Sequence, residues 1–152
     1  MMDVPVEIGS ASQGELGAIR TLLMQSGLPP DGLDDLGDTL LVARSGGRIV
    51  GSAALELYLP GALLRSVAVD AALRGTGLGV RLTEAVLALA VERGIERVYL
   101  LTETAGDFFP KFGFCTVTRD EVDPAVRESQ EFSSLCPDSA QAMMLDLAER
   151  QR

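Results

Sequence analysis

The order of apolar and polar positions along the chain predicts one domain, residues 1–152, built from strands and helices. Short apolar or alternating runs are typical of strands, and apolar residues recurring every three or four positions are typical of helices. The predicted strands are Val4–Ile8, Leu40–Arg44, Ile49–Tyr58, Leu63–Val69, Arg97–Leu101, Phe114–Thr118 and Ala140–Leu147. The predicted helices are Gln13–Ser26 and Val80–Arg93, with short ones near 105–112 and 124–131 and a frayed tail at 148–152. A hairpin at residues 45–48 and a turn at 59–61 indicate an α/β fold with a mixed, mainly antiparallel sheet.

A glycine-rich turn, Arg74-Gly75-Thr76-Gly77-Leu78-Gly79, joins the fourth predicted strand to the second long helix. Such a turn directs successive N–H groups toward one point beside the positive end of the helix dipole, where phosphate binds. A P-loop is excluded because no Gly-Lys-Ser/Thr follows the glycines. A dinucleotide site stays open, since Glu103 lies near the place of a ribose-binding acid. Against it, Asp70–Arg74 separate the strand from the first glycine, and Val80 stands where a third glycine belongs.

The turn resembles the acyl-coenzyme A loop of the GCN5-related N-acetyltransferase (GNAT) superfamily, whose pattern is Arg/Gln-x-x-Gly-x-Gly/Ala. A second segment, Asp107–Phe114, is similar to that superfamily's Phe-Tyr-x-x-x-Gly-Phe segment. The resemblance covers about residues 62–117. It implies a GNAT fold with splayed central strands, with acetyl-coenzyme A as co-substrate and no metal. The cofactor-binding residues that it implies are Val67, Ala68, Val69, Arg74, Gly75, Thr76, Gly77, Leu78, Gly79, Val80 and Phe108.

Acetyl transfer to an amine requires a base for the ammonium group and an exit for the thiolate. Glu103 and Glu56 are the two candidate bases, and a solvated surface carboxylate is the alternative for each. The superfamily often supplies the thiolate's proton from a tyrosine, but Phe109 stands at that place. Water, Tyr58 or Tyr99 then supplies the proton, or the thiolate leaves unassisted.

The segment Tyr99–Ala105 looks like the acetyltransferase domain of N-acetylglutamate synthases. The segment Phe132–Ala140 resembles a branch of small acetyltransferases associated with arsenic resistance. Both resemblances imply a small amino-acid-like acceptor. An acid at Glu103 would repel a substrate carboxylate, which disfavours glutamate itself. Arg65 and Arg127 are the candidate partners for a carboxylate on the acceptor.

One stretch without clear periodicity, Arg119–Asp138, precedes the last predicted strand. Loops of this length are uncommon inside a compact domain and tend to be functional or disordered. Val126, Phe132, Leu135 and Cys136 give the far half of the stretch apolar groups to bury. We therefore expect an irregular insertion that covers the acceptor site and sets substrate choice.

Composition narrows the class of protein further. The net charge of −9 disfavours nucleic acid as a partner, and no apolar run reaches the length of a membrane span. The chain has no histidine and two cysteines without metal spacing, and no signal peptide is visible, so we expect a cytoplasmic location. A homodimer is left open. Two other function classes also remain: a coenzyme A-binding sensor that has lost catalysis, and an NAD- or nucleotide-binding enzyme.

Overall fold

The computed structural model describes residues 5–103, 107–129, 132 and 140–150, the side chains of residues 149 and 150 excepted. The strands are β1 (Val6–Ser10), β2 (Leu40–Ser45), β3 (Arg48–Tyr58), β4 (Gly61–Val69), β5 (Arg97–Thr102), β6 (Cys115–Val117) and β7 (Gln141–Asp146). The α-helices are α1 (Leu16–Gln25), α2 (Leu78–Glu92), α3 (Pro124–Arg127) and α4 (Leu147–Arg150). Short 3-10 turns cover Gln13–Glu15, Leu33–Asp35, Gly37–Thr39, Ala71–Leu73, Phe109–Phe112 and Arg119–Glu121.

The seven strands are hydrogen-bonded in the order β1-β2-β3-β4-β5-β7-β6. The pairs β1–β2, β2–β3, β5–β7 and β6–β7 are antiparallel, and β4–β5 is parallel. The parallel pair follows from the long helical connection through α2, since parallel neighbours need a crossover. The predicted mixed, mainly antiparallel sheet is confirmed.

Pairing between the two parallel strands is short. Its register runs from Gly61 opposite Arg97 to Leu63 opposite Tyr99. Beyond that point β4 continues to Val69 and β5 to Thr102, and the described residues show no further pairs between them. The predicted splay of the central strands is therefore present.

The chain divides into two compact units. The first comprises Met1–Leu55 and Ser66–Leu89, and the second comprises Glu56–Arg65 and Ala90–Arg152. Both β3 and β4 contribute residues to each unit. A single domain over the whole chain stays a prediction.

In the first unit, the apolar face of α1 packs on the sheet. Ile19 and Leu23 are fully buried and cluster with Val42, Ala54 and Ala68 of three different strands. The spacing of these apolar residues predicted α1 from the sequence. Removing their side chains from water is what stabilises the helix.

The second unit has its own apolar cluster, which includes part of the irregular insertion. Val122, Val126 and Phe132 pack with Leu63 of β4 and Tyr99 of β5. The described part of the insertion is thus anchored to the sheet rather than disordered. Further along, residues 133–139 lie outside the described part of the chain.

Three predicted boundaries need correction. The short helix predicted near 105–112 is a 3-10 turn at Phe109–Phe112, and residues 104–106 lie outside the described range. The helix predicted over 124–131 ends at Arg127. Of the tail at 148–152 that is predicted to fray, residues 148–150 belong to α4, where the Ala148 N–H donates to Asp146 Oδ1 at 3.0 Å, and residues 151–152 lie outside the described range.

The entry to α1 is fixed by one carboxylate. Glu15 accepts from the Ser12 backbone N–H at 2.8 Å, which completes a capping box. The same carboxylate accepts from Arg44 Nε at 2.6 Å and Nη2 at 2.7 Å, and that guanidinium also donates to the Ser10 carbonyl. Hydrogen bonding from Arg44 and Ser12 lowers the pKa of Glu15 from 4.5 to about 2.

We expect Glu15→Gln to reduce stability in a pH-dependent way. The folded state keeps the Glu15 carboxylate ionised down to a pKa of about 2, whereas the unfolded chain protonates it near 4.5. The stabilisation is therefore complete above pH 4.5 and is lost as the pH falls toward 2. Thermal midpoints of wild type and variant should differ most near neutral pH and converge in acid. A pH-independent difference would contradict this, and Asp34→Asn in an exposed pair with Arg20 serves as control.

We expect Gly51→Ala to destabilise the fold by about 1–3 kcal/mol because the site is already filled. A Cβ at Gly51 would lie 2.6 Å from Leu82 Cδ1 and 3.2 Å from the Ala68 carbonyl oxygen. The matched control is Gly17→Ala, where no heavy atom lies within 4 Å and the exposed helix should gain up to about 1 kcal/mol. Urea denaturation of both variants measures the two signs, and equal effects would exclude the steric explanation.

Candidate functional site

The second half of β4 has an unusual backbone at Ser66. Its φ of 60° makes it the one non-glycine residue with a positive φ among those the structure describes. Such a conformation costs about 1–2 kcal/mol for an L-residue. Ser52 Oγ donates to the Ser66 carbonyl at 2.6 Å, and both residues are buried, which holds the strained backbone in place. The candidate cofactor residues Val67–Val69 follow directly, and Val67 and Val69 are partly exposed.

The turn between β4 and the glycines is anchored by Asp70. Its backbone N–H donates to the Val50 carbonyl at 2.8 Å, and its side chain accepts from the Ala72 N–H at 2.9 Å. Arg48 adds an ion pair to the same carboxylate at 2.9 Å. Asp70 therefore fixes where the strand ends and where the glycine loop begins.

The loop itself is exposed and carries one positively charged side chain, Arg74. Arg74–Gly77 are all exposed, and Arg74 Nε donates to the Val69 carbonyl at 3.3 Å, so the guanidinium lies over the end of β4. Gly75 and Gly77 have φ of 83° and 87°, a region that L side chains rarely adopt. Helix α2 then begins at Leu78, and its first N–H groups have no acceptor within the helix. Together with Arg74 they suit a phosphate or pyrophosphate.

An aromatic cluster follows β5 in the second unit. Phe108 lies edge-on to Phe109 and Phe112, at centroid distances of 5.1 and 5.3 Å, and Lys111 Nζ lies 5.3 Å from the Phe108 ring centre. Phe109 and Phe112 are buried, and Phe108 is half-buried. Phe109 is therefore a packing residue, and its ring has no proton to give a thiolate.

The two candidate bases differ in their surroundings. Glu103 is exposed just beyond β5, and no partner for its carboxylate is found among the described residues. Glu56 of β3 is partly buried, and its carboxylate accepts from both Tyr58 and Arg65. Both assignments stay predictions.

The two candidate arginines also differ. The Arg65 side chain is 1% exposed and forms an ion pair with Glu56, with 2.6 Å between Nη1 and Oε2. Arg127 is exposed at the end of α3. A role of either in binding an acceptor carboxylate stays a prediction.

The two tyrosines named as alternative proton sources are also distinguishable. The Tyr99 hydroxyl donates to Asp123 Oδ1 at 2.9 Å, and burial, followed by that hydrogen bond, raises the Tyr99 pKa. Tyr99 thus joins β5 to the insertion as a structural link. Tyr58 is half-buried and its hydroxyl donates to Glu56.

Two other kinds of feature are absent from the described part of the chain. No group of three or more His, Cys, Asp or Glu side chains there could hold a metal ion. Within the same residues, no helix has the length and apolar character needed to cross a bilayer. Cys115 is exposed on β6, and Cys136 lies outside the described residues.

Comparison with known proteins agrees with this geometry. Residues 19–114, which contain the splayed strand, the glycine loop and the aromatic cluster, match the profile of the Acetyltransferase (GNAT) family. The chain belongs to that family. The resemblance drawn from the loop and aromatic motifs is therefore confirmed, together with the fold that it implied.

This GNAT chain is similar to parts of two longer proteins. An amino-acid acetyltransferase from Mycobacterium tuberculosis is 33% identical over 106 residues, which cover 67% of this chain and 57% of the relative. The N-acetylglutamate synthase from Neisseria gonorrhoeae, solved with coenzyme A and N-acetyl-glutamate, superimposes with a TM-score of 0.81 at 21% identity. That match covers 96% of this chain and 36% of the Neisseria chain, so this chain spans only part of both proteins.

A third similarity concerns a protein of comparable length. Rv2747 from Mycobacterium tuberculosis, solved in complex with CoA, superimposes with a TM-score of 0.78 at 23% identity. The match covers 92% of this chain and 98% of that one. At these identities the solved structures establish the fold alone.

Two residues of the site were missed by sequence reasoning. Ser66 has no sequence signal for its positive φ, because serine is not a residue that favours it. Asp70 did have a sequence signal, because it directly follows a predicted strand. An aspartate in that place is typical of an Asx turn, in which its side chain accepts from the N–H two residues on.

We expect Gly77→Ala to weaken binding of acetyl-coenzyme A and Gly94→Ala to leave it unchanged. Both glycines have a positive φ, 87° and 73°, with no heavy atom within 4 Å of the point that a Cβ would occupy. Both variants should therefore lose about 1 kcal/mol of stability. Only Gly77 borders the proposed anion site, and Gly77→Glu should abolish binding because it adds like charge. Calorimetry with acetyl-coenzyme A measures this, and equal affinity in all three variants would refute the loop assignment.

Proposed function

We propose that this GNAT chain transfers an acetyl group from acetyl-coenzyme A to the amine of a small amino-acid-like molecule. The observation that carries the proposal is the accessible Arg74–Gly77 loop, which leads from the end of β4 into the first turn of α2. Its guanidinium and the first N–H groups of α2 match the charge and the hydrogen-bonding needs of a pyrophosphate. Two solved proteins of the same fold contain coenzyme A, which supports the same ligand here.

The cofactor arm would be held by the backbone of Val67–Val69. These residues continue β4 after its pairing with β5 has ended, so an extended ligand can add to their edge as a strand would. A backbone N–H of the same stretch would stabilise the oxyanion that forms on the thioester carbonyl. Phe108, half-buried beside Lys111, would form part of the cofactor wall.

The proposed acceptor class rests on the relatives. One is named an amino-acid acetyltransferase, and another was solved with N-acetyl-glutamate. An ammonium group suits the acidic candidates Glu56 and Glu103, either of which would take its proton. A cytoplasmic location and a link to arsenic resistance remain part of this proposal, and the latter rests only on the sequence resemblance at Phe132–Ala140.

A second function, a coenzyme A sensor without catalysis, is favoured by one observation. Phe109 is buried at the place of the superfamily's proton-donating tyrosine. Release of free thiol from acetyl-coenzyme A over a panel of amino acids and other amines tests both functions. Acceptor-dependent release supports the acetyltransferase. Binding of acetyl-coenzyme A without release over the whole panel would favour the sensor.

We expect replacement of Arg119–Asp138 by a short Gly/Ser loop to raise the acceptor KM or abolish turnover. The start of this insertion is fixed by two hydrogen bonds: the Tyr99 hydroxyl donates to Asp123, and Arg119 Nη2 donates to the Ala140 carbonyl at 3.1 Å. Its removal should leave the affinity for acetyl-coenzyme A nearly unchanged, because none of the candidate cofactor-binding residues lies within this segment. Steady-state kinetics and calorimetry give the two values. Normal KM and kcat in the shortened protein would refute a role in acceptor binding.

A further inference from the structure

The carboxylate of Glu56 is held on both of its oxygens by side chains of two strands. Oε1 accepts from the Tyr58 hydroxyl, and Oε2 accepts from Arg65 Nη1 at 2.6 Å. All three residues belong to the second unit, Glu56 and Tyr58 at the end of β3 and Arg65 in β4. A donor on each oxygen fixes the plane of the carboxylate, so its orientation is set before any ligand arrives.

The two charged residues of this pair differ in how exposed their side chains are, which indicates different roles. The Arg65 side chain is 1% exposed, whereas that of Glu56 is 19% exposed. A ligand could reach Arg65 only by displacing the residues around it, and the charge of Arg65 is already balanced by Glu56. A buried ion pair is seldom more stable than apolar side chains of the same volume. The pair is therefore better explained by what it does to Glu56 than by stability alone.

We propose that Arg65 is a positioning residue that orients Glu56, and that Glu56 is the base that receives the acceptor amine; this rests on the proposed acetyl transfer. A carboxylate has about four acceptor sites, and the described side chains use two of those on Glu56. The two acceptor sites that remain are the ones that we assign to the ammonium group of the acceptor. The other candidate base, Glu103, is exposed and lacks an orienting partner among the described residues.

The proton and electron balance of the step is simple. The acceptor ammonium gives one proton to Glu56 and becomes a neutral amine. Its lone pair forms the C–N bond with the thioester carbonyl carbon, the C–S bond breaks, and the electron pair leaves on sulfur. The acylated nitrogen loses its second proton to water. Glu56 returns its proton to water, and the thiolate takes one proton from water, so one proton is released per turnover.

The test compares rates across pH in wild type, Glu56→Gln and Arg65→Met. A base is required only while the amine is protonated, so alkaline pH should restore a variant that lacks or misplaces it. We expect kcat to fall about a hundredfold in Glu56→Gln and about tenfold in Arg65→Met at neutral pH. Both deficits should shrink as the pH approaches the pKa of the acceptor's own amine. The side chains that contact Glu56 in the described structure are Tyr58 of its own strand and Arg65 of β4.

Two conservative variants distinguish a loss of catalysis from a loss of folding. Glu56→Asp keeps the charge that Arg65 requires but withdraws the carboxylate by one methylene, and should lower kcat with the affinity for acetyl-coenzyme A unchanged. Arg65→Lys keeps the positive charge and should recover part of the activity lost in Arg65→Met. The matched control is Arg44→Met in the first unit, which removes another strand arginine paired to a glutamate at 2.6 Å. It should reduce stability and leave the pH profile of kcat unchanged.

The outcomes are distinct. Alkaline recovery of both Glu56→Gln and Arg65→Met supports the inference. A wild-type pH profile in Glu56→Gln, or alkaline recovery in Glu103→Gln alone, would overturn it while leaving the proposed function intact. A constant fold-loss at every pH in Arg65→Met would show a structural role only and would also overturn it. No acceptor-dependent thiol release by wild type over the amine panel would overturn the proposed function and this inference together.

Discussion

The short parallel pairing of β4 with β5 is the constraint on which the proposed chemistry depends. Backbone N–H and C=O groups that leave a sheet must find other partners, and β4 runs on to Val69 after its register with β5 ends at Leu63. The backbone at Ser66 is strained and held by Ser52 at the start of that stretch. An edge of this kind accepts an extended ligand at little further cost, because the strain is already offset by the fold.

Local features of the sequence were enough to predict most of this architecture. The glycines of the loop predicted a turn at that place, and Gly75 and Gly77 do occupy backbone regions that other residues avoid. The spacing of apolar residues predicted α1 and α2, and those apolar residues form the buried faces of the two helices. Helix ends were predicted less well, since they depend on single hydrogen bonds. Ser12 and Glu15 do carry a readable signal, Ser-x-x-Glu, although the link from Glu15 to Arg44 joins residues distant in the chain.

The candidate site shows where sequence reasoning stops. From the sequence, Glu56 was named as a candidate base and Arg65 as a candidate partner for a substrate carboxylate. Their pairing with each other was not predicted. Their pairing depends on strand register and on which face of the sheet each side chain takes. A two-residue turn after Tyr58 would set Glu56 opposite Leu63, with Arg65 diagonal to it on the same face. The sequence pattern did not show that the carboxylate paired with Arg65 belongs to this chain rather than to a substrate.

The proposed cofactor is an anion, and the chain carries a net charge of −9. These facts are compatible because exposed charges act over about 8 Å at physiological ionic strength, so the nearest groups dominate. At the loop, Arg74 and the first N–H groups of α2 supply positive charge, and Asp70 is already paired with Arg48. The same reasoning applies to Arg65, whose charge is balanced by Glu56. Local pairing, rather than the sum of charges, determines which groups of this fold remain available to a ligand.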